Sequence, residues 1–356
     1  MARFPLRSDL QVMQGYHSAQ VDVPIRLNTN EAPFSPPAQW LDEVAQAVHS
    51  IEWNRYPDRA ANELREGIAQ LHGVNANQVF VANGSNEVLQ SILLAYSGTG
   101  RTVATFAPTY QMHAQIAKVV GANVVEGSRN ADFTLNAQEI ERVVAQSNPA
   151  VSFLCSPNNP TGIVEPRANI ETLIKVAPGI VVIDEAYAQF APWSALELVN
   201  EESPVVVTRT FSKTWSMAAA RLGYLVGPSW LVSDLEAVVL PYHLDALKQR
   251  AGVLALKYVG DMESRVLDII NGRNAIESCF AGLEVDTWPS GANFVLFRPR
   301  ATTGMSGKSL WQGLLDKGIL VRDCSSWEGL ANCLRVTIGT SQENEAFISA
   351  MKEIMK

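Results

Sequence analysis

Charge is in short supply. Only 18% of the 356 residues are Asp, Glu, Lys or Arg, below the roughly 25% usual in soluble domains. Hydrophobic residues reach 47%, enough for a sizeable core and too many for a disordered chain. Much of the surface is therefore expected to be hidden in a core or a subunit interface. Basic residues are the scarcer sign, 28 against 36 acidic, for a formal net charge of −8. No basic stripe is left to neutralise a nucleic-acid backbone, although a few placed arginines can still hold a small anion. Cysteine is rarer still. Cys155, Cys279, Cys324 and Cys333 are scattered, without a CxxC, which argues against a disulfide framework and against structural zinc. The five histidines are dispersed as well, which argues against a histidine metal centre. No run of about 18 apolar residues offers a membrane span, and the opening MARFPLRSDLQ lacks the apolar centre of a secretory leader. The expected setting is a reducing cytoplasm.

What is present alternates. A helix is expected near 38–50, after the Pro-rich APFSPP, and another over 61–73. A short strand VFVA (79–82) then leads into NGSNEVLQSILLAY, whose Val88, Leu89, Ile92 and Leu93 share one helical face. Strands at 102–106 and 123–127 alternate with helices ending at Gly121 and spanning 136–146. AVSFLC (150–155), GIVVID (179–184) and PVVVTRTF (204–211) are compact, β-branched runs. Strands buried on both faces of a parallel sheet read this way, and the βαβα order predicts an open α/β sheet. Beyond residue 230 the texture changes. A long helical stretch over 231–280 precedes short strands LEVD, NFVLFRP and LRVTIG, with helices at 309–317 and 342–356. This predicts a second, smaller α+β domain. The expected division is a large domain over 46–235 and a small one from 1–45 and 236–356.

Four segments carry chemistry. In TFSKTWSMAAARLGY (210–224), Lys213 follows a strand and the hydroxyls of Thr210 and Ser212, with Arg221 eight residues on. If a helix starts just after the lysine, Arg221 lies about two turns away, so that lysine, hydroxyls and arginine can face one anionic ligand. The alternative is a surface lysine and a solvated arginine. The stretch is otherwise almost uncharged, and a desolvated lysine has a lowered pKa and becomes a nucleophile for Schiff-base chemistry. In VVIDEAYAQF (182–191), Asp184 ends a buried strand at the crevice edge where open α/β sheets bind ligands. A bare carboxylate there is costly unless paired. It is either a structural partner or cap, or a carboxylate that holds a cationic ring nitrogen, with the Tyr187 phenol beside it. CSPNNPTG (155–162) is a turn signal, and its asparagines can also donate to a ligand oxygen. ANGSNEVL (82–89) places a glycine turn before a helix start, a phosphate cradle of backbone N–H groups or an ordinary N-cap by Ser85 or Asn86. Tyr110, in APTYQMH, offers an aromatic face or is simply packed. One segment misleads. GMSGKS (304–309) sits between strand and helix like a P-loop, but the pattern needs glycine where Thr302 stands. The expectation is a loop with Ser306 or Ser309 capping a helix.

NPTG, D-x-x-Y, S-K and an arginine eight later, in that order, resemble the pyridoxal-phosphate-dependent aminotransferases of fold type I. LNTNEAPFSPP (27–37), RYPD (55–58), NGSNE (83–87), APTY, CSPNNPTG, VIDEAY, SGANFVLF (290–297), VRD (321–323) and LRVTIGT (334–340) look like the histidinol-phosphate aminotransferase branch. The likeness runs from about residue 16 to the end. Two positions depart from the branch. Ala32 stands where it often has asparagine, and Asn86 where it often has aspartate.

The resemblance implies roles. Lys213 would hold pyridoxal 5'-phosphate and shuttle a proton between substrate and cofactor carbons. Asp184 would keep the ring nitrogen protonated. Asn159 and Tyr187 would reach the ring 3' oxygen, and Tyr110 would stack on the ring. Gly84, Ser85, Asn86, Thr210, Ser212 and Arg221 would hold the phosphate. Tyr56 would reach the phosphate of a neighbouring subunit in a homodimer with shared sites. Arg335 and Arg322 would grip a substrate carboxylate or phosphate bidentately, with Tyr16 and Asn30 lining the same pocket. The implied reaction moves an amino group between histidinol phosphate and 2-oxoglutarate by a ping-pong route. The same fold also admits an aromatic amino-acid aminotransferase or a phospho-amino-acid decarboxylase. A non-catalytic cofactor-binding module is the alternative of another class.

Overall fold

The computed structural model describes residues 4–11, 13, 15 and 20–356. Among them are twelve strands: β1 (Ile25–Leu27), β2 (Val79–Ala82), β3 (Thr102–Ala107), β4 (Asn123–Ser128), β5 (Val151–Cys155), β6 (Ile180–Asp184), β7 (Val205–Thr210), β8 (Gly223–Val226), β9 (Val285–Thr287), β10 (Phe294–Pro299), β11 (Ile319–Asp323) and β12 (Leu334–Thr337). Seven form one sheet in the order β2-β8-β7-β6-β5-β3-β4. Only β8 runs antiparallel to its neighbours. Every residue of β5, β6 and β7 is buried, because helices cover both faces, and this is why these strands are mostly apolar and β-branched, with the buried Arg209 of β7 paired to Glu185. One layer packs the helix Ser85–Tyr96 over Phe80, Phe153 and Val182; the other packs Ile140, Val143, Ile170 and Leu173 over Leu154 and Ile183.

The second sheet has the order β1-β11-β12-β10-β9. Its first strand comes from the beginning of the chain and pairs parallel with β11. The other pairings are antiparallel. Phe280, Phe297 and Phe347 meet behind this sheet, with ring centroids 4.8 to 6.0 Å apart. The helix Ala38–Ser50 runs on through position 46, and its Trp40 indole N–H donates to the Ala251 carbonyl at 3.1 Å.

Two expectations change and a third holds. The helical stretch over 231–280 is three helices, Ser229–Val238, Ala246–Ala255 and Val259–Ala281. The first break contains Pro241, which has no N–H to donate, and Tyr242 at φ +58°. No α-helix follows Lys213. Ser216 and Arg221 take positive φ of 58° and 52°, which an α-helix does not admit. The segment instead closes as a loop, with Phe211 N–H donating to the Leu222 carbonyl and Met217 N–H to the Phe211 carbonyl. The P-loop look-alike is a capped helix start: Ser306 Oγ accepts from Ser309 N–H at 3.0 Å, opening the helix Gly307–Asp316.

Truncating Phe297 to alanine removes one ring of the aromatic triad. The expected loss is about 3–5 kcal/mol, read as a lower denaturant midpoint at unchanged m-value.

Candidate active site

Strand carboxyl ends bring the motifs together. Asp184 ends β6, in register with Cys155 on β5 and Thr208 on β7. The turn after β5 supplies Asn159, the loop after β7 supplies Ser212 and Lys213, and the turn after β2 supplies Gly84. A cavity of about 290 Å³ opens there. Its lining includes Asn30, Ser85, Asn86, Tyr110, Asn159, Asp184, Tyr187, Thr210, Ser212, Lys213, Arg221, Arg322 and Arg335. Gly84 stands at its edge, behind Arg221. Tyr56 lies elsewhere on the surface, 80% exposed and stacked on Tyr242 at 4.4 Å. Tyr16 lies outside the described residues.

The Lys213 amine donates to the Thr29 carbonyl at 3.4 Å and sits 5.8 Å from the Tyr187 ring centroid. Removal from water is the main force on it, followed by the positive charge of Arg335, with a smaller push from Arg221. Glu31 opposes these. The amine falls to about 7, so the neutral nucleophile dominates in mildly alkaline solution. Tyr187 moves the other way. Burial raises its phenol above the ordinary value, which keeps it a hydroxyl, and its oxygen accepts from Asn30 Nδ2 at 3.0 Å.

Asp184 is 2% exposed. Its Oδ2 meets His113 Nε2 at 2.9 Å, and its Oδ1 accepts from Ala186 N–H at 3.2 Å. His113 stacks on Phe153 at 4.6 Å and carries the edge of Tyr110. The costly buried carboxylate is therefore paired.

At the other end, the helix Ser85–Tyr96 begins with Gly84 as its N-cap and no side-chain cap. Neither Ser85 nor Asn86 N–H is hydrogen-bonded among the described residues. Gly84 has φ +83°, and a Cβ there would come within 2.6 Å of Arg221 Nη2. Glycine thus lets the guanidinium lie against the helix start. Arg221 Nη1 donates to Ser212 Oγ at 3.3 Å, and Thr210 Oγ1 donates to the same oxygen at 2.9 Å. Open N–H groups, a helix N-terminus, hydroxyls and an arginine form an anion cradle. Arg221 reaches it from a loop residue, not from the second turn of a helix.

Arg335 forms the facing wall. It is 5% exposed, donates to Asn159 Oδ1 at 2.5 Å and to the Asn28 carbonyl at 2.9 Å, and lies 5.1 Å from the Phe294 ring centroid. Its buried Nε–H has no partner among the described residues, as befits a group awaiting an anion. Arg322 stands opposite it in register. Sequence reasoning missed His113, Thr29, Glu31 and Trp327. Only His113 left a signal, one turn beyond Tyr110 on an otherwise apolar helical face.

Comparison with known proteins gives the family. The family described as aminotransferase class I and II matches residues 22–351. The histidinol-phosphate aminotransferase of Corynebacterium glutamicum (strain R) is 38% identical, covering 100% of this chain and 98% of that protein. That of Frankia casuarinae is 41% identical, covering 98% and 89%. The structure of histidinol-phosphate aminotransferase from Sinorhizobium meliloti in complex with pyridoxal-5'-phosphate superposes with a TM-score of 0.84, at 23% identity, over 94% of this chain and 91% of that one. The fold is that of the fold type I enzymes that use pyridoxal phosphate, and the family match narrows it to the aminotransferases. The chain belongs to the class I and II aminotransferases.

If the cavity lowers the amine as described, labelling of Lys213 in the cofactor-free protein by an amine-directed reagent rises with pH and levels off above about 7. An ordinary lysine rises towards 10.5. Peptide mapping of the labelled lysine against pH reads the midpoint.

Proposed function

We infer that this chain is a histidinol-phosphate aminotransferase, exchanging an amino group between L-histidinol phosphate and 2-oxoglutarate in histidine biosynthesis. The carrying observation is identity of 38–41% over essentially the whole chain to proteins of that name. The cavity fits pyridoxal phosphate on its own terms. It has an anion cradle at one end, a buried carboxylate at the other, and a lysine of lowered pKa between them. When bound, the cofactor supplies an electron sink for the pair left on the substrate carbon as a proton departs.

The chain's own residues do the rest. Gly84, Ser85, Asn86, Thr210, Ser212 and Arg221 hold the cofactor phosphate. Asp184, steadied by His113, would pair with the ring nitrogen and favour its protonated form. Asn159 and Tyr187 hold the 3' oxygen; among the described residues the Asn159 carboxamide nitrogen has no other partner. Tyr110 covers a ring face. Lys213 Nζ would hold the cofactor and, as a neutral amine, would accept the proton that leaves the substrate carbon and give it back. A neutral amine is needed for both tasks. Arg335 and Arg322 bind the donor's phosphate and the acceptor's carboxylates, two anions of similar reach, so one site serves both halves of a ping-pong reaction.

The cofactor work falls to residues 46–235, and the substrate arginines come from the small domain of 1–45 and 236–356. The working form is a cytoplasmic homodimer with shared sites. Supporting this, Tyr56 stacks on Tyr242 on the surface, close in sequence to Trp53 and Leu240, which are 67% and 78% exposed. Such a group of exposed apolar side chains marks an interaction surface, and Tyr56 is the residue that reaches across. Among the described residues no helix is long and apolar enough to cross a membrane.

Steady-state kcat/KM on a donor panel tests the function. Histidinol phosphate is expected to exceed phenylalanine by more than tenfold; a preference for phenylalanine overturns the donor assignment. Lys213→Ala is expected to lower the rate by about 10² to 10⁴.

A further inference from the structure

Arg322 and Arg335 are cross-strand partners on β11 and β12, yet they are held differently. Arg335 is buried and fixed by two hydrogen bonds. Arg322 is half-buried, and its guanidinium carbon lies 5.8 Å from the ring centroid of Trp327. Trp327 also lines the cavity beside it. Its other surroundings belong to a second cavity of about 410 Å³, which shares Tyr110 and Gln111 with the first. The indole is thus part of a partition and faces the arginine across the substrate end of the site.

Turn hydrogen bonds hold the loop that carries Trp327. Cys324 N–H donates to the Cys333 carbonyl and Trp327 N–H to the Cys324 carbonyl, both at 3.0 Å. Leu330 N–H donates to the Trp327 carbonyl at 3.1 Å and Cys333 N–H to the Leu330 carbonyl at 2.9 Å. Beneath it Cys324, Leu330 and Cys333 are fully buried with Leu296 and Phe133, and Trp327 packs on this cluster. The ring therefore has a fixed place relative to β11.

We propose that Trp327 is a positioning residue that holds the Arg322 guanidinium at the cavity, and so sets how strongly the enzyme prefers substrates with a distal anionic group. The proposal rests on the aminotransferase reading above. An arginine side chain has many rotamers to lose on gripping a ligand, and a partner that holds it beforehand removes part of that cost. An aromatic face suits the task. It attracts the cation through its quadrupole, yet it neither neutralises the charge nor occupies the N–H donors that a phosphate or carboxylate needs. A carboxylate partner in the same place would do both.

The test compares the holoenzyme with W327F, W327A, R322A and the double variant W327A/R322A. Two substrate pairs are used, each with and without the distal anion: histidinol phosphate against histidinol, and 2-oxoglutarate against 2-oxobutanoate. A cation–π contact of this kind corresponds to a factor of about three to thirty. In W327A the anion preference in kcat/KM is expected to fall about tenfold, through KM for the anionic member. In W327F, which keeps a ring, it is expected to stay within about threefold of the unsubstituted enzyme. In the R322A background, W327A is expected to change the preference no further, since both act on one contact. The proposal is overturned by an unchanged preference in W327A, by equal losses on anionic and neutral substrates in W327A and W327F alike, or by additive effects in the double variant. Thermal midpoints identify a variant that has lost packing, and W327F then decides. Failure of the functional reading looks different: the unsubstituted enzyme does not turn over histidinol phosphate, and the Trp327 proposal is then decided on the oxo-acid pair alone.

Discussion

One buried arginine ties the two sheets together at the site. Arg335 belongs to the small sheet but bonds Asn159, at the carboxyl end of β5 in the large one, and the Asn28 carbonyl from the start of the chain. An arginine only 5% exposed needs partners for its charge, and Asn159 and the Asn28 carbonyl meet two of its N–H groups, so this position draws three distant stretches together. The same charge lowers the neighbouring lysine. Asn30 closes the seam from the other side. In a left-handed conformation, φ +54°, it donates to Tyr187, just beyond β6 of the large sheet, and accepts from Thr337 of the small one. The catalytic crevice is the space these contacts hold open.

The electrostatics follow from that geometry. A chain with net charge −8 still offers three arginines and a lysine to one cavity, because the field of a buried group depends on its near neighbours far more than on the molecule's total. Positive charge gathered without water favours a neutral lysine, which is the reactive form. It also favours anionic ligands at both ends. Arg221, behind Gly84, serves one end, and Arg335 with Arg322 the other.

Some of this was legible in the chain and some was not. β5, β6 and β7 were plain because strands buried on both faces are mostly apolar and β-branched, and Asp184 stood out as the carboxylate that ends such a run. The phosphate cradle was legible in NGSNE, since a glycine turn before a helix is a local pattern. The loop after Lys213 was not. Its run of alanines suits a helix, and only contacts between Phe211, Met217 and Leu222 select the turn. β1, β8 and β11 escaped notice because strands of three to five residues owe their existence to partners far away in sequence. His113 meets Asp184 from 71 residues away, a pairing that no local pattern carries.

By itself, then, the order of residues determined the alternation of the large sheet, the crevice at its strand ends and the set of groups that do chemistry, because these rest on local periodicity, turns and residue type. The tertiary structure alone decided how Arg221 reaches the cradle, which residue pairs with Asp184, how Arg335 is fixed and what Arg322 leans on. Each of those depends on groups brought together across long stretches of chain, where burial makes a charge costly until a specific partner meets it.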